Sequence, residues 1–170
     1  ISVMCETLPL PFIVHFRIVS SGSKRPSLCH PFPIEGDASL ALDGKTKGHV
    51  LFHNGTWHSW RTETKETAAR YGVKIPSGKW SDTRAIAWAT HHYGLGFLEL
   101  IDGDSRCAIL GTKDLEIFGT GWTILDGVIA SNRLFEHPSA GFFGTTGTRT
   151  MCRDRQCSQS TELDTYGYCP

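Results

Sequence analysis

Residues 122–131 read Trp-Thr-Ile-Leu-Asp-Gly-Val-Ile-Ala-Ser (WTILDGVIAS). Two apolar runs rich in β-branched residues flank Asp126-Gly127, a pair favoured in two-residue hairpin turns. Such a turn joins neighbouring antiparallel strands, whereas parallel strands need a crossover of a dozen or more residues. Upstream of it, Leu115 to Phe118, Cys107 to Leu110 and Gly96 to Ile101 are further short apolar runs, divided by Gly111-Thr112 and Asp102-Gly103. The second half of the chain therefore predicts a succession of short antiparallel strands.

Before these runs the pattern is helical. Ser81 caps a predicted helix from Asp82 to about His92, filled with Ala85, Ile86, Ala87, Trp88 and Ala89 and stopped by Gly94. Thr62 to Tyr71 predicts a second helix with Thr62 as N-cap, Glu66 four residues before Arg70, and Gly72 as stop. Earlier still, His49 to His53 (HVLFH) and Phe12 to Val19 (FIVHFRIV) read as strands. Strands, then two helices, then antiparallel strands define an α+β layered domain over residues 1–140 rather than a doubly wound parallel sheet. From Gly141 the apolar period stops, and residues 141–170 read as a polar, cysteine-containing extension.

The bulk composition excludes several classes. Seventeen Lys and Arg balance seventeen Asp and Glu with no run of either sign, so the basic footprint of a nucleic-acid binder is missing. The apolar runs are far shorter than the about 20 residues of a membrane helix, and no secretion signal opens the chain. Six cysteines in 170 residues do not make a disulfide scaffold, so the main body reads as an intracellular, thiol-containing domain. In the extension, Cys152, Cys157 and Cys169 fit no tight zinc pair, leaving a disulfide, free thiols or a looser zinc site as readings.

Four segments carry chemistry. In His15-Phe16-Arg17-Ile18-Val19-Ser20-Ser21-Gly22, alternation places His15 and Arg17 on one face of a strand. Arg17 is either half of a structural ion pair or a guanidinium fork for a carboxylate. Cys29-His30-Pro31-Phe32 reads as a turn after a loop. His53-Asn54-Gly55 ends the HVLFH strand either as an ordinary turn or as an oxyanion hole, an Asn side-chain N–H and a Gly backbone N–H converging on one point. Ser81-Asp82-Thr83 opens its helix either as a plain cap or with Asp82 placed to grip a substrate ammonium.

Taken in order, H-x-R, S/T-x-G, H-P, H-N-G and S-D-T on a helix start resemble the glutaminase domain of class II glutamine amidotransferases. The likeness is strongest to its small stand-alone relatives in bacteria and their phages. It runs from about residue 4 to residue 90, and more loosely to Asn132. It implies an Ntn-hydrolase fold, a four-layer αββα sandwich of two antiparallel sheets. By matching motif, Arg17 would bind the α-carboxylate of glutamine and Asp82 its α-amino group. Asn54 and Gly55 would form the oxyanion hole, Ser20 would stand where the family usually has a threonine, and His15, His30 and His53 would support the site. Ile18 replaces a frequent tryptophan of the family.

The family nucleophile is an N-terminal cysteine whose own α-amine is the base, some sixty or more residues before the H-x-R strand. Only fourteen residues precede His15 here, and Cys5 is followed at once by Pro9 and Pro11. The resemblance thus implies an incomplete N-terminus whose first strands are missing, and a chain inactive alone. No cofactor and no metal are expected. Expected partners are glutamine and a separate N-terminal chain or an ammonia-accepting synthase, in the cytoplasm or, for a phage protein, the virion. The alternative is a non-catalytic binding or assembly module on the same fold.

Overall fold

The structure is a computed structural model that describes residues 11–15, 25–101, 104–125 and 127–132. By internal contacts the chain divides into two units, 1–122 and 123–170.

In the first unit, β1 (Phe32–Pro33), β2 (Val50–Asn54), β3 (Arg106–Leu110) and β4 (Leu115–Phe118) form one sheet in that order. Every pairing is antiparallel. Two helices, α1 (Trp60–Tyr71) and α2 (Asp82–Tyr93), lie between β2 and β3 in sequence. Helix α2 packs on β1, β2 and α1. In the second unit, β5 (Thr123–Leu125) pairs antiparallel with β6 (Val128–Ala130), Leu125 opposite Val128. The α+β class and the antiparallel succession are therefore observed.

Alternation along the strands gives the main sheet two apolar faces. Leu51 and His53 pair with Ile109 and Cys107, and that face joins the core with Ile86, Ala85, Trp57 and Trp60 from the helical layer. The opposite face carries Val50, Phe52, Ala108, Leu110, Leu115 and Ile117 in register. Phe52 and Ala108 are buried there, while Leu115 and Ile117 on β4 are 37% and 41% exposed.

Helix α2 follows its sequence signals. The Ser81 hydroxyl accepts from the Arg84 N–H at 3.2 Å, and the Gly94 N–H closes the helix on the Thr90 carbonyl. All residues from Asp82 to Thr90 are buried, so the run of small and apolar types marks a helix covered all round. Arg84 is the exception that the packing accommodates. Its Nε donates to Ala38 O, one terminal nitrogen to Lys79 O, and the other to Asp37 O and Ser77 O, at 2.8–3.0 Å. The guanidinium also lies 4.4 Å from the Trp80 ring centroid. Burial pulls its pKa down and Asp37 pulls it back up, and an arginine so placed stays charged.

Three sequence expectations need correction. Helix α1 starts at Trp60, with Ser59 rather than Thr62 in the N-cap position. Burial of Trp60 in the core carries the helix start upstream of Thr62. Gly96 to Ile101 is not a strand: Leu95–Leu100 forms a 3₁₀ helix, with the Phe97 N–H bonded to Gly94 O. Short apolar runs do not fix their own period, and here Leu98 is buried while Leu100 is 78% exposed. Of the strand expected over Phe12 to Val19, residues 12–15 have no regular secondary structure, and the remainder lies outside the described residues.

Candidate functional site

The last residues of β2 meet the first turn of α2. Alternation turns His53 toward the helix, where the ring is 4% exposed and held at both nitrogens. Its Nδ1 lies 3.1 Å from Thr83 Oγ1 and its Nε2 3.2 Å from Ser105 Oγ. The His53 backbone N–H donates to His30 Nδ1 at 3.2 Å, and the His30 ring stacks on His15 at 4.1 Å between centroids. The three histidines expected to support a site therefore form one column. Burial pushes the His53 pKa down to about 4, aided by His15 and opposed by Asp82. The ring is neutral at ordinary pH, and each nitrogen faces a hydroxyl able to donate or accept.

Asn54 closes β2 opposite Arg106. Gly55 follows at φ 144°, a region that L side chains rarely adopt. A Cβ there would sit 2.7 Å from Ser105 Cα, 3.0 Å from Ser105 Oγ and 3.2 Å from His53 Nε2. Both Asn54 and Gly55 are half-buried, so their donors lie at the rim of the core rather than in it.

Asp82 is 4% exposed. One carboxylate oxygen accepts the Trp57 N–H at 3.2 Å, two residues beyond Gly55, and the other accepts the Thr83 N–H at 2.9 Å. The aspartate thus ties the H-N-G segment to the helix start. A carboxylate has about four acceptor sites, so two backbone bonds leave capacity for an ammonium. Cys107, opposite His53 on β3, lies near enough to Asp82 to feel its charge; burial first and Asp82 second push its thiol up to about 12. It stays a neutral thiol.

Two catalytic assignments are disfavoured by this geometry. A buried Ser105 beside a histidine with a pKa near 4 is not a poised nucleophile, because so weak a base gives little driving force for taking the serine proton at neutral pH. Cys107 is 2% exposed and un-ionised, so it does not attack either.

His15, His30, His53, Asn54, Gly55 and Asp82 thus gather in one neighbourhood, joined through Trp57, Thr83 and Ser105. Arg17 and Ser20 lie outside the described residues, as do Cys5, Cys152, Cys157 and Cys169. Ser105 and Trp57 were not singled out in the sequence. Ser105 stands alone before a strand and announces nothing, while the tryptophan two residues after H-N-G was the available signal. Elsewhere, His49, Asp114 and Glu116 bring ligand atoms within 4.8 Å of one another at the exposed end of β4. A groove of about 470 Å³ runs between α1 and the 3₁₀ turn, lined by Glu63, Arg70, Tyr93 and Phe97, and includes none of the motif residues. Among the described residues no helix is long and apolar enough to cross a membrane.

No protein-family model, curated protein or solved structure matches this chain.

Proposed function

We propose that the chain is a glutamine-binding domain of the class II amidotransferase type, on a four-layer αββα Ntn-hydrolase fold. The observation that carries this reading is the Trp57 N–H bond to Asp82, which brings the H-N-G segment and the S-D-T helix start together across a sequence separation of 25 residues. Chance resemblance of short motifs gives no reason for them to meet. The second apolar face of the main sheet fits the further sheet layer that such a sandwich supplies.

In this reading Arg17 takes the α-carboxylate and Asp82 the α-ammonium, while the Asn54 side-chain N–H and the Gly55 backbone N–H hold the side-chain amide oxygen. The same two donors stabilise negative charge on that oxygen when a thiolate attacks the amide carbon. Collapse of the adduct expels ammonia and leaves a γ-glutamyl thioester, which water converts to glutamate. The attacking cysteine is the family's N-terminal residue, and ammonia passes to an acceptor enzyme.

Titration calorimetry with glutamine tests the binding step. Arg17→Lys is expected to weaken binding by about 1.5–3 kcal/mol, the range of a hydrogen bond to a charged group, with the fold intact. Equal affinity with a lower melting temperature in the variant would return Arg17 to a structural ion pair.

A further inference from the structure

Resting on the glutamine reading, we propose that Ser105 is a positioning residue that fixes the Gly55 peptide as an oxyanion donor through its contacts with Gly55 and His53. Ser105 immediately precedes β3 and is 7% exposed. Its Cα and Oγ back directly onto Gly55, whose missing Cβ is what allows the approach. On the other side, a Cβ on Gly119 (φ 85°) would meet the Ser105 carbonyl oxygen. The serine backbone is thus wedged between two glycines, both at positive φ.

This wedge fixes a conformation that a free chain would not keep. Glycine between a strand end and a loop has more backbone freedom than any other residue, and an oxyanion donor is useful only if it is oriented before charge develops. The hydroxyl supplies the orientation. Ser105 Oγ bonds His53 Nε2, His53 Nδ1 bonds Thr83 Oγ1, and Thr83 sits in the first turn of α2 beside Asp82. A hydroxyl–imidazole–hydroxyl chain therefore ties the serine that packs against Gly55 to the helix that carries the ammonium-binding carboxylate. The amide-oxygen donor and the α-amine acceptor are held in one frame, setting the span a substrate side chain must match.

The test uses the whole chain and L-glutamine, with calorimetry for affinity and ¹⁵N–¹H spectra for the Gly55 amide at saturation. Ser105→Ala is expected to weaken glutamine binding about fivefold, the factor for one net hydrogen bond, and to abolish the glutamine-induced shift of the Gly55 amide. Ser105→Thr, which keeps the hydroxyl, is expected to restore both. If the alanine variant does not fold, Ser105→Cys takes its place, since it keeps the shape but replaces the oxygen with a poor acceptor. Unchanged affinity, or weaker binding with the Gly55 shift intact, would overturn the Ser105 role and leave the glutamine reading standing. A wild-type chain that does not bind glutamine would instead overturn that reading, and this role with it.

Discussion

Thr83 and Arg84 are neighbours in the first turn of α2, yet they serve polar clusters of opposite character. Arg84 carries a permanent charge and spends four of its five donors on carbonyl oxygens of two loops. Nothing in that cluster can exchange a proton or reverse a hydrogen bond. Thr83 faces a neutral imidazole, and every link from Thr83 through His53 to Ser105 can run in either direction. It ends at Ser105, which packs against Gly55 at the rim of the core. A saturated cluster of fixed polarity holds loops in place; a reversible one beside half-buried donors is the kind that can serve a site. Burial alone does not separate them, since Arg84 is 2% exposed and His53 4%.

The contrast can be broken most sharply at Arg84. Arg84→Met should cost about 3–5 kcal/mol, the usual scale for removing one partner of a buried charged cluster, because four carbonyls lose their donors. Denaturant unfolding measures it, and the surviving folded fraction should bind glutamine as the wild type does. A cost under about 1 kcal/mol would mean that the cluster does not hold the loops.

At His53 the expected signature is a pH dependence. The unfolded ring titrates near 6.5 and the folded one near 4. Between these values the unfolded chain binds a proton that the folded one does not, so stability falls as the pH is lowered through that window. The loss reaches about 3 kcal/mol below it, at about 1.4 kcal/mol per pH unit of displacement. Denaturation midpoints collected from pH 7.5 to 4 should show this slope in the wild type and flatten it in His53→Gln. Identical slopes would place the titration elsewhere.

Gly55→Ala sharpens the comparison with a smaller step. The new Cβ would press on Ser105 Cα at a φ that alanine disfavours, costing about 1–3 kcal/mol of stability. Unlike Arg84→Met, it should also lower glutamine affinity in the molecules that remain folded. A loss of stability with full affinity would put Gly55 in the class of structural turns.

Much of this arrangement was legible in the sequence. Helix α2, its Ser81 cap and its Gly94 stop follow from local chemistry, as do β2 and the pairing of β5 with β6, because each is decided by a few adjacent residues. The gathering of His30, His53, Asn54, Gly55 and Asp82 was legible only through motif order, since residues 30 and 82 share no local signal. What could not be read depends on tertiary packing. Trp60 pulls the start of α1 past Thr62, and Leu95–Leu100 turns into a 3₁₀ helix in which Leu98 is buried, Leu95 and Phe97 pack partly against the core, and Leu100 stays exposed. The Arg84 cluster leaves no mark in the sequence, because its partners are carbonyls that every residue carries.

That last property has a bearing on redesign. The four Arg84 hydrogen bonds are blind to side chains: they read the count of residues in two loops and not their spelling. Asp37, Ser77 and Lys79 can be rewritten with every one of the four bonds retained, whereas deleting a single residue from either loop carries carbonyls out of register. Some positions there are still restricted in identity: Leu40 and Trp80 pack against the core, and the Trp80 ring lies against the guanidinium. Ala38 is fully buried at φ 41°, and at Gly78, φ 98°, a Cβ would meet Leu40 Cδ1 at 2.7 Å. Loop libraries built on this scaffold should therefore diversify the exposed letters, keep these four residues and hold length constant.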